Sequence, residues 1–363
     1  MTKTGAEIEP IPAELTDAVA AALDTFIDDK QRQLAPIGAE LESLIEAARR
    51  AVHGGKRLRP AFAYWGWRAA GGAAGKTDPI VTAAASIELV HASALAHDDV
   101  MDDSETRRGH PAAHRAFSRR LRQAETARVD AERFGRSAAI LLGDLLLSWS
   151  DELLGRSGFK PESMARGRVY FDKLRTEVVA GQYLDLLAQA GGTSSASDAL
   201  RVVRYKSAKY TVERPLQFGA ALVRADKALL SSLSSYGVPL GEAFQLRDDV
   251  LGVFGEATVT GKPSGDDLRE GKRTLLLARA FDMADQSQRA LLNRHFGNPR
   301  VDADGISAVQ DVIRQSGALT AVETVITELT AASLSALEHA PLADTETRLA
   351  LRVLSDRATK RNV

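Results

Sequence analysis

An all-α fold, a single-domain bundle of roughly ten to twelve helices, is the class this sequence predicts. Apolar residues recur at helical spacing through nearly every long segment of the 363-residue chain. No alternating run long enough for a half-buried strand occurs, and no Asn-Gly hairpin signal interrupts the helices. No linker separates two cores, and there is no short repeat. With hydrophobic residues at 44%, one large core is affordable.

Taken in order, residues 1–12 read as a polar tail, and the remainder, 13–363, as one domain. Leu15–Asp29 and Leu34–Val52 have helical spacing, and His53-Gly-Gly-Lys-Arg-Leu-Arg-Pro60 breaks it. Pro60 suits the first position of a helix over Ala61–Ala70, closed by Gly71-Gly72. Thr82–His97 is a helix of small residues, and Arg115–Phe134 a charged stretch expected to be a flap or insertion. Ser137–Leu154 is strongly apolar with Asp144 embedded in it. Glu162–Ala190 and Ala196–Val223 follow, the latter with an expected kink at Pro215. Ser231–Phe254 is a helix, Gly255–Gly265 a loop, and the rest helical with polar breaks near Asn298–Asp304 and Pro341–Asp344.

A formal net charge of −1 gives no reason to expect a nucleic-acid partner. The cysteine count of zero excludes disulfides and thiolate metal sites and fits a reducing compartment. Met1–Pro12 lacks the apolar core of a signal peptide, and no run of about 20 apolar residues suggests a membrane span, so a cytoplasmic location is expected.

The chemistry is concentrated in Glu88–Arg108. At about 100° per residue, Asp98 and Asp102 lie within about 40° of each other, Asp99 is about 60° further round, and His91 falls between the first two. Carboxylates this close repel unless a cation sits among them, and hard oxygen donors suit Mg²⁺. Arg107 and Arg108 follow, with planar forks that match phosphate oxygens. A second cluster, Gln245-Leu-Arg-Asp-Asp-Val-Leu-Gly252, repeats the pattern with Asp248 and Asp249, and Gln245 shares their face. Gly252 stands where Asp102 stands in the first. Lys206, Lys262 and Lys272 supply further cations, and Gln182 and Asp185 share one helix face. Lys56 and Arg59 precede a helix N-terminus, itself an anion-attracting place. Matched acidic helix ends facing one central cavity, with cations around them, point to a metal-bound polyanion such as a diphosphate.

These pieces together resemble the trans-isoprenyl diphosphate synthases, the polyprenyl synthetase family, from about Leu34 to the C-terminus. The resemblance rests on Gly54-Gly-Lys-Arg-Leu-Arg-Pro60, Leu89-Val-His91, Asp98–Asp102 through Arg107-Arg-Gly109, Gly181-Gln182 with Asp185, Lys206, and Phe244–Asp249 through Thr260-Gly-Lys262. It implies the isoprenoid synthase fold and a head-to-tail condensation of isopentenyl diphosphate with allylic diphosphates. It implies that Asp98, Asp99, Asp102, Asp248 and Asp249 hold about three Mg²⁺ ions per site, with Mn²⁺ as an alternative. Arg107, Lys206 and Lys262 would hold the allylic diphosphate, with Gln182 and Asp185 in the inner wall, and Gln182, Gln245 and Lys272 would also bind substrate. Lys56, Arg59, His91 and Arg108 would hold isopentenyl diphosphate. A homodimer is implied, with the helix of the first acidic motif near the interface. The sequence departs from the family pattern at Gly252, where many members carry a third Asp.

Product length turns on Val90, Ser93 and Ala94, just before the first acidic motif. In the family, aromatic residues there stop growth at fifteen carbons; Ser93 and Ala94 are small, so a twenty-carbon product is expected, with farnesyl or longer products as alternatives. Trp149 and Phe134 are candidate plugs further along. A non-catalytic partner subunit of such an enzyme is the non-enzyme alternative. Metal-dependent HD-type phosphohydrolases would claim His91, His97 and Asp98, but that reading explains neither Gly54–Pro60 nor Gln245–Asp249.

Overall fold

A computed structural model describes residues 9–73, 78–123, 130–191, 195–255 and 265–360, apart from the side chain at 266. Contacts divide the chain into two compact units, Ile11–Tyr64 with Ala73–Pro161, and Met1–Pro10 with Trp65–Gly72 and Glu162–Val363. Among the described residues, strand structure is confined to Thr106–Arg107 and His110–Pro111, and the all-α class is borne out.

The unit made of Ile11–Tyr64 and Ala73–Pro161 contains α1 (Ala13–Leu34), α2 (Glu42–Val52), α4 (Asp78–Met101), α5 (Ala113–Gln123) and α6 (Ala131–Gly155). Leu15, Val19, Leu23, Phe26 and Ile27 line the buried face of α1, a spacing of three and four residues that aligns them on one stripe. They pack with Val81, Ala85, Leu89 and Ala92 of α4 and with Leu142, Leu146, Trp149 and Leu153 of α6. Burying each such large side chain contributes about 1.5–3 kcal/mol before entropy is charged. Lys30 is buried beside them with its ammonium paired to Glu152 and lying 5.1 Å from the Phe26 ring centroid.

Several boundaries differ from expectation. The helix expected over Leu34–Val52 begins at Glu42, after Pro36 and a 3₁₀ turn at Ala39–Leu41. Much of the stretch expected to be a flap is helix α5. Its apolar signal is thin because the buried positions include His114 and Ser118, whose hydroxyl donates to the His114 carbonyl at 2.8 Å. Asp78–Met101 is long and apolar enough to cross a membrane by length and composition alone, and most of it is buried inside the protein as a core helix.

The unit that includes Glu162–Val363 contains α7 (Pro161–Gln189), α8 (Ala196–Val202), a π-helix over Val203–Glu213, α9 (Arg214–Leu222) and α10 (Lys227–Phe254). Beyond these come α11 (Asp266–Glu270), α12 (Leu275–Met283), α13 (Gln286–His295), α14 (Ala303–Gln315), α15 (Ala318–Glu338) and α16 (Thr345–Thr359). Its core joins Ala243, Leu246, Val250 and Val253 of α10 to Leu275–Leu277, Val309, Ile313, Val322 and Ile326. Asp226, Asp285, Asp302 and Asp344 each cap a helix here by accepting a backbone N–H.

Pro215 does not kink a continuous α-helix as expected. It sits in the first turn of α9, directly after the π-helix, where a missing N–H costs least. Pro239 lies inside α10 instead, a position the sequence reading passed over.

Candidate active site

The helix α4 carries Glu88, His91 one turn later and Asp98 and Asp99 two turns after that, and Asp102 follows one residue beyond its end, its N–H bonded to the Asp98 carbonyl at 2.8 Å. Asp99 is buried, while Asp98 and Asp102 are half-buried. Arg107 folds back onto the helix end: its Nε donates to Asp99 Oδ1 at 2.9 Å, and its Nη2 lies 3.8 Å from Asp98 Oδ2. The chain returns through a tight hairpin whose central residues Arg108 and Gly109 have φ of 51° and 76°, as a primed two-residue turn requires. An arginine at the first of these positions is why no hairpin was legible in the sequence.

Arg108 Nη1 donates to the carbonyl of His53 at 2.8 Å, which ties this hairpin to the loop between α2 and α3 (Leu58–Ala69). His91 is thereby surrounded. Burial, and then the charges of Arg59, Arg108, Arg107 and Arg57, hold its pKa well below the ordinary histidine value. Of the expected set Lys56, Arg59, His91 and Arg108, the two arginines therefore act on His91. Lys56 is exposed, and Arg57, absent from the expected set, is buried.

His97, the residue a phosphohydrolase would require, is engaged elsewhere. Its Nε2 lies 3.1 Å from the Ile140 carbonyl and 3.5 Å from Asp144 Oδ1. It rests over Gly143, where a Cβ would come within 2.2 Å of that nitrogen. Asp144 itself is exposed on α6.

Of the three positions named for product length, Ala94 is half-buried, while Val90 and Ser93 are buried at 2% and 3% exposure. Trp149 packs edge-on against Phe26 with ring centroids 6.0 Å apart, whereas Phe134 is exposed.

In the unit containing Glu162–Val363, Asp248 is half-buried and Asp249 buried on α10. The Gln245 amide donates to Asp249 Oδ1 at 2.8 Å and its carbonyl accepts from Ser207 of the π-helix. Gln245 thus orients the buried Asp249 carboxylate. Burial pushes the Asp249 carboxyl up to about 7; the Gln245 bond opposes this, Asp267 and Asp248 add to it, and Lys272 opposes it. Asp267 is a member that the sequence reading missed. A Cβ at Gly252 would lie 1.9 Å from Asp267 Oδ2, so this carboxylate fills the space left by the acid missing at 252. Lys272 pairs with Asp267 at 3.3 Å and Glu270 at 2.9 Å.

Lys206 projects from the π-helix and pairs with Asp185 of α7 at 2.6 Å. The wide turn is brought close to its neighbours by glycine. A Cβ at Gly181 would be 2.2 Å from the Lys206 nitrogen, and one at Gly241 2.5 Å from Ala208 Cα. Gln182 is half-buried in the same part of α7. Lys262 lies outside the described residues.

Among the described residues no group of three histidine or acidic side chains comes together to hold a metal ion unaided. That fits Mg²⁺, which keeps several waters and binds through one or two carboxylates plus substrate phosphates. Within its own unit, each of the half-buried acids Asp98, Asp102 and Asp248 offers hard oxygen donors of the kind Mg²⁺ takes.

Comparison with known proteins agrees. A family model described as polyprenyl synthetase matches residues 41–313. The geranylfarnesyl diphosphate synthase of Aeropyrum pernix is 31% identical over 311 residues, covering 85% of this chain and 91% of its own. The geranylgeranyl diphosphate synthase of Methanosarcina mazei is 34% identical over 259 residues, 71% of this chain and 73% of its own. A geranylgeranyl pyrophosphate synthase from Corynebacterium glutamicum, solved with isoprenyl diphosphate and magnesium, superposes with a TM-score of 0.92 at 39% identity, covering 96% of this chain and 99% of that one.

Proposed function

The chain belongs to the polyprenyl synthetase family, and on that premise we propose that it is a Mg²⁺-dependent trans-prenyltransferase that makes all-trans geranylgeranyl diphosphate. It would condense isopentenyl diphosphate with dimethylallyl, geranyl and farnesyl diphosphates and release diphosphate. The observation that carries this reading is the basic loop and hairpin joined by the bond from Arg108 to the His53 carbonyl, in the unit whose helix α4 ends in Asp98 and Asp99. A terpene cyclase, which ionises one diphosphate, has no need of that second cationic cluster.

Bound Mg²⁺ supplies Lewis-acid stabilisation of the charge that develops on a departing diphosphate. Asp98, Asp102 and Asp248 would hold it, and Arg107 and Lys206 would neutralise the remaining phosphate charge from fixed positions. The basic cluster of Lys56, Arg59, His91 and Arg108 would anchor isopentenyl diphosphate so that its double bond meets the allylic cation. No protein base is required for the last step if the released diphosphate accepts the proton. The assembly would be a homodimer. Its interface would lie near α4, the helix of the first acidic motif; on α6, Ile140 and Leu141 are 45% and 64% exposed.

The testing experiment is product analysis with purified protein, Mg²⁺, radiolabelled isopentenyl diphosphate and each allylic primer. A twenty-carbon product from all three supports the reading; no condensed product refutes it. Ala94→Phe refines it, because half-buried Ala94 is the one member of its trio with room to meet a growing chain. The product should shorten to fifteen carbons or fewer while primer consumption continues. An unchanged twenty-carbon product would remove Ala94 from the chain-length determinants.

A further inference from the structure

The loop between α2 and α3 has a backbone that needs holding. Gly54, Gly55 and Arg57 lie in the left-handed region, with φ of 71°, 87° and 49°. Glycine adopts this freely, but for an arginine it costs about 1 kcal/mol, so something must keep Arg57 there. Its guanidinium turns inward, where Nη1 donates to Glu88 Oε2 at 2.6 Å and Nη2 to the Val52 carbonyl at 2.8 Å. Both side chains are buried, at 4% and 5% exposure. From the other side, Arg108 holds the His53 carbonyl and covers Gly55, where a Cβ would lie 3.0 Å from its Nη2.

A buried ion pair is a poor source of net stability, since an apolar pair of similar volume often does as well. It does supply direction. Arg57 is fastened to α4 one turn before His91, and the residues on either side of it, exposed Lys56 and half-buried Arg59, emerge where that fastening sends them. We propose that Arg57 and Glu88 are a positioning pair, which fixes the Gly54–Arg59 backbone so that Lys56 and Arg59 converge with His91 and Arg108 on the diphosphate of isopentenyl diphosphate. The proposal rests on the functional reading above.

Glu88 acts on that site in two opposed ways, and this makes the pair testable. Its charge repels an incoming diphosphate, while its bond to Arg57 holds the loop that binds one. In Glu88→Gln the repulsion is gone and the clamp weakened. If positioning dominates, calorimetric affinity for isopentenyl diphosphate falls about tenfold although the site has become more positive, and its KM rises by more than kcat falls. Arg57→Lys keeps the charge but loses the two-pronged contact and should weaken binding similarly. Amide exchange over Gly54–Arg59 should quicken in both variants while that of α4 is unchanged, which separates loop release from general loosening. Tighter or unaltered binding in Glu88→Gln, or wild-type affinity in Arg57→Lys, overturns the proposal and leaves the functional reading standing. If the wild-type protein itself fails to bind isopentenyl diphosphate, the functional reading falls first.

Discussion

The acidic cluster at the end of α4 and the one on α10 share a pair of adjacent aspartates but compensate the inner acid differently. Asp99 is buried against Arg107, a cation eight residues away that folds back across a hairpin. Asp249 is buried against a neutral amide, Gln245, with Asp248 and Asp267 adding negative charge, and its carboxyl is pushed up to about 7. The first cluster thus carries its own counter-ion. In the second, among the described residues, Lys272 is the cation that acts on Asp249. The same two-residue motif therefore meets an arginine in one unit and an amide in the other, according to what the fold brings to it.

The largest effects should come from the outer acids. Asp98→Ala or Asp248→Ala each removes a half-buried carboxylate without opening the core, so turnover should fall about a thousandfold or more while the melting temperature changes little. Retained activity in one of them would show that its cluster is dispensable. A smaller effect is expected of Gly252→Asp. It restores the acid many relatives carry, but its Cβ would occupy the space of the Asp267 carboxylate. Activity should fall about tenfold as Asp267 is displaced; a gain would mean that Asp267 does not stand in for the missing acid.

The smallest change, and the one that sharpens the electrostatic contrast, concerns Asp249. Its folded-state pKa lies above the ordinary value of 3.8, at about 7, so between these pH values the folded protein holds a proton that the unfolded chain has lost. Stability in metal-free buffer should therefore fall as pH rises through that window. Asp249→Asn mimics the protonated form. It should melt higher than wild type at pH 8, by the equivalent of roughly 2–4 kcal/mol, with a flatter dependence between pH 5 and 8, and it should lose activity. An equal pH dependence in the two proteins would contradict the assignment.

Much of this was legible in the sequence, because helical spacing and the order of motifs are local signals. Asp98, Asp102, Asp248 and the loop carrying Lys56 and Arg59 could be named before any contact was known. What escaped was set by contacts distant along the chain. Arg57 and Glu88 are 31 positions apart and neither breaks a local pattern. Asp267 could be guessed only from the empty place at Gly252. The π-helix carrying Lys206 escaped for another reason, since its apolar positions do not follow the 100° period used to find helices. Pro215, read as a kink, was instead a sign of where that wider turn ends.

The central claim, that these carboxylates act by holding a divalent cation on a diphosphate, is tested most directly by following turnover of isopentenyl and farnesyl diphosphates through a cycle of chelation and readdition. Activity should vanish in EDTA, with the folded helical signal intact, and return on titration with Mg²⁺. Full turnover in the presence of chelator would contradict it.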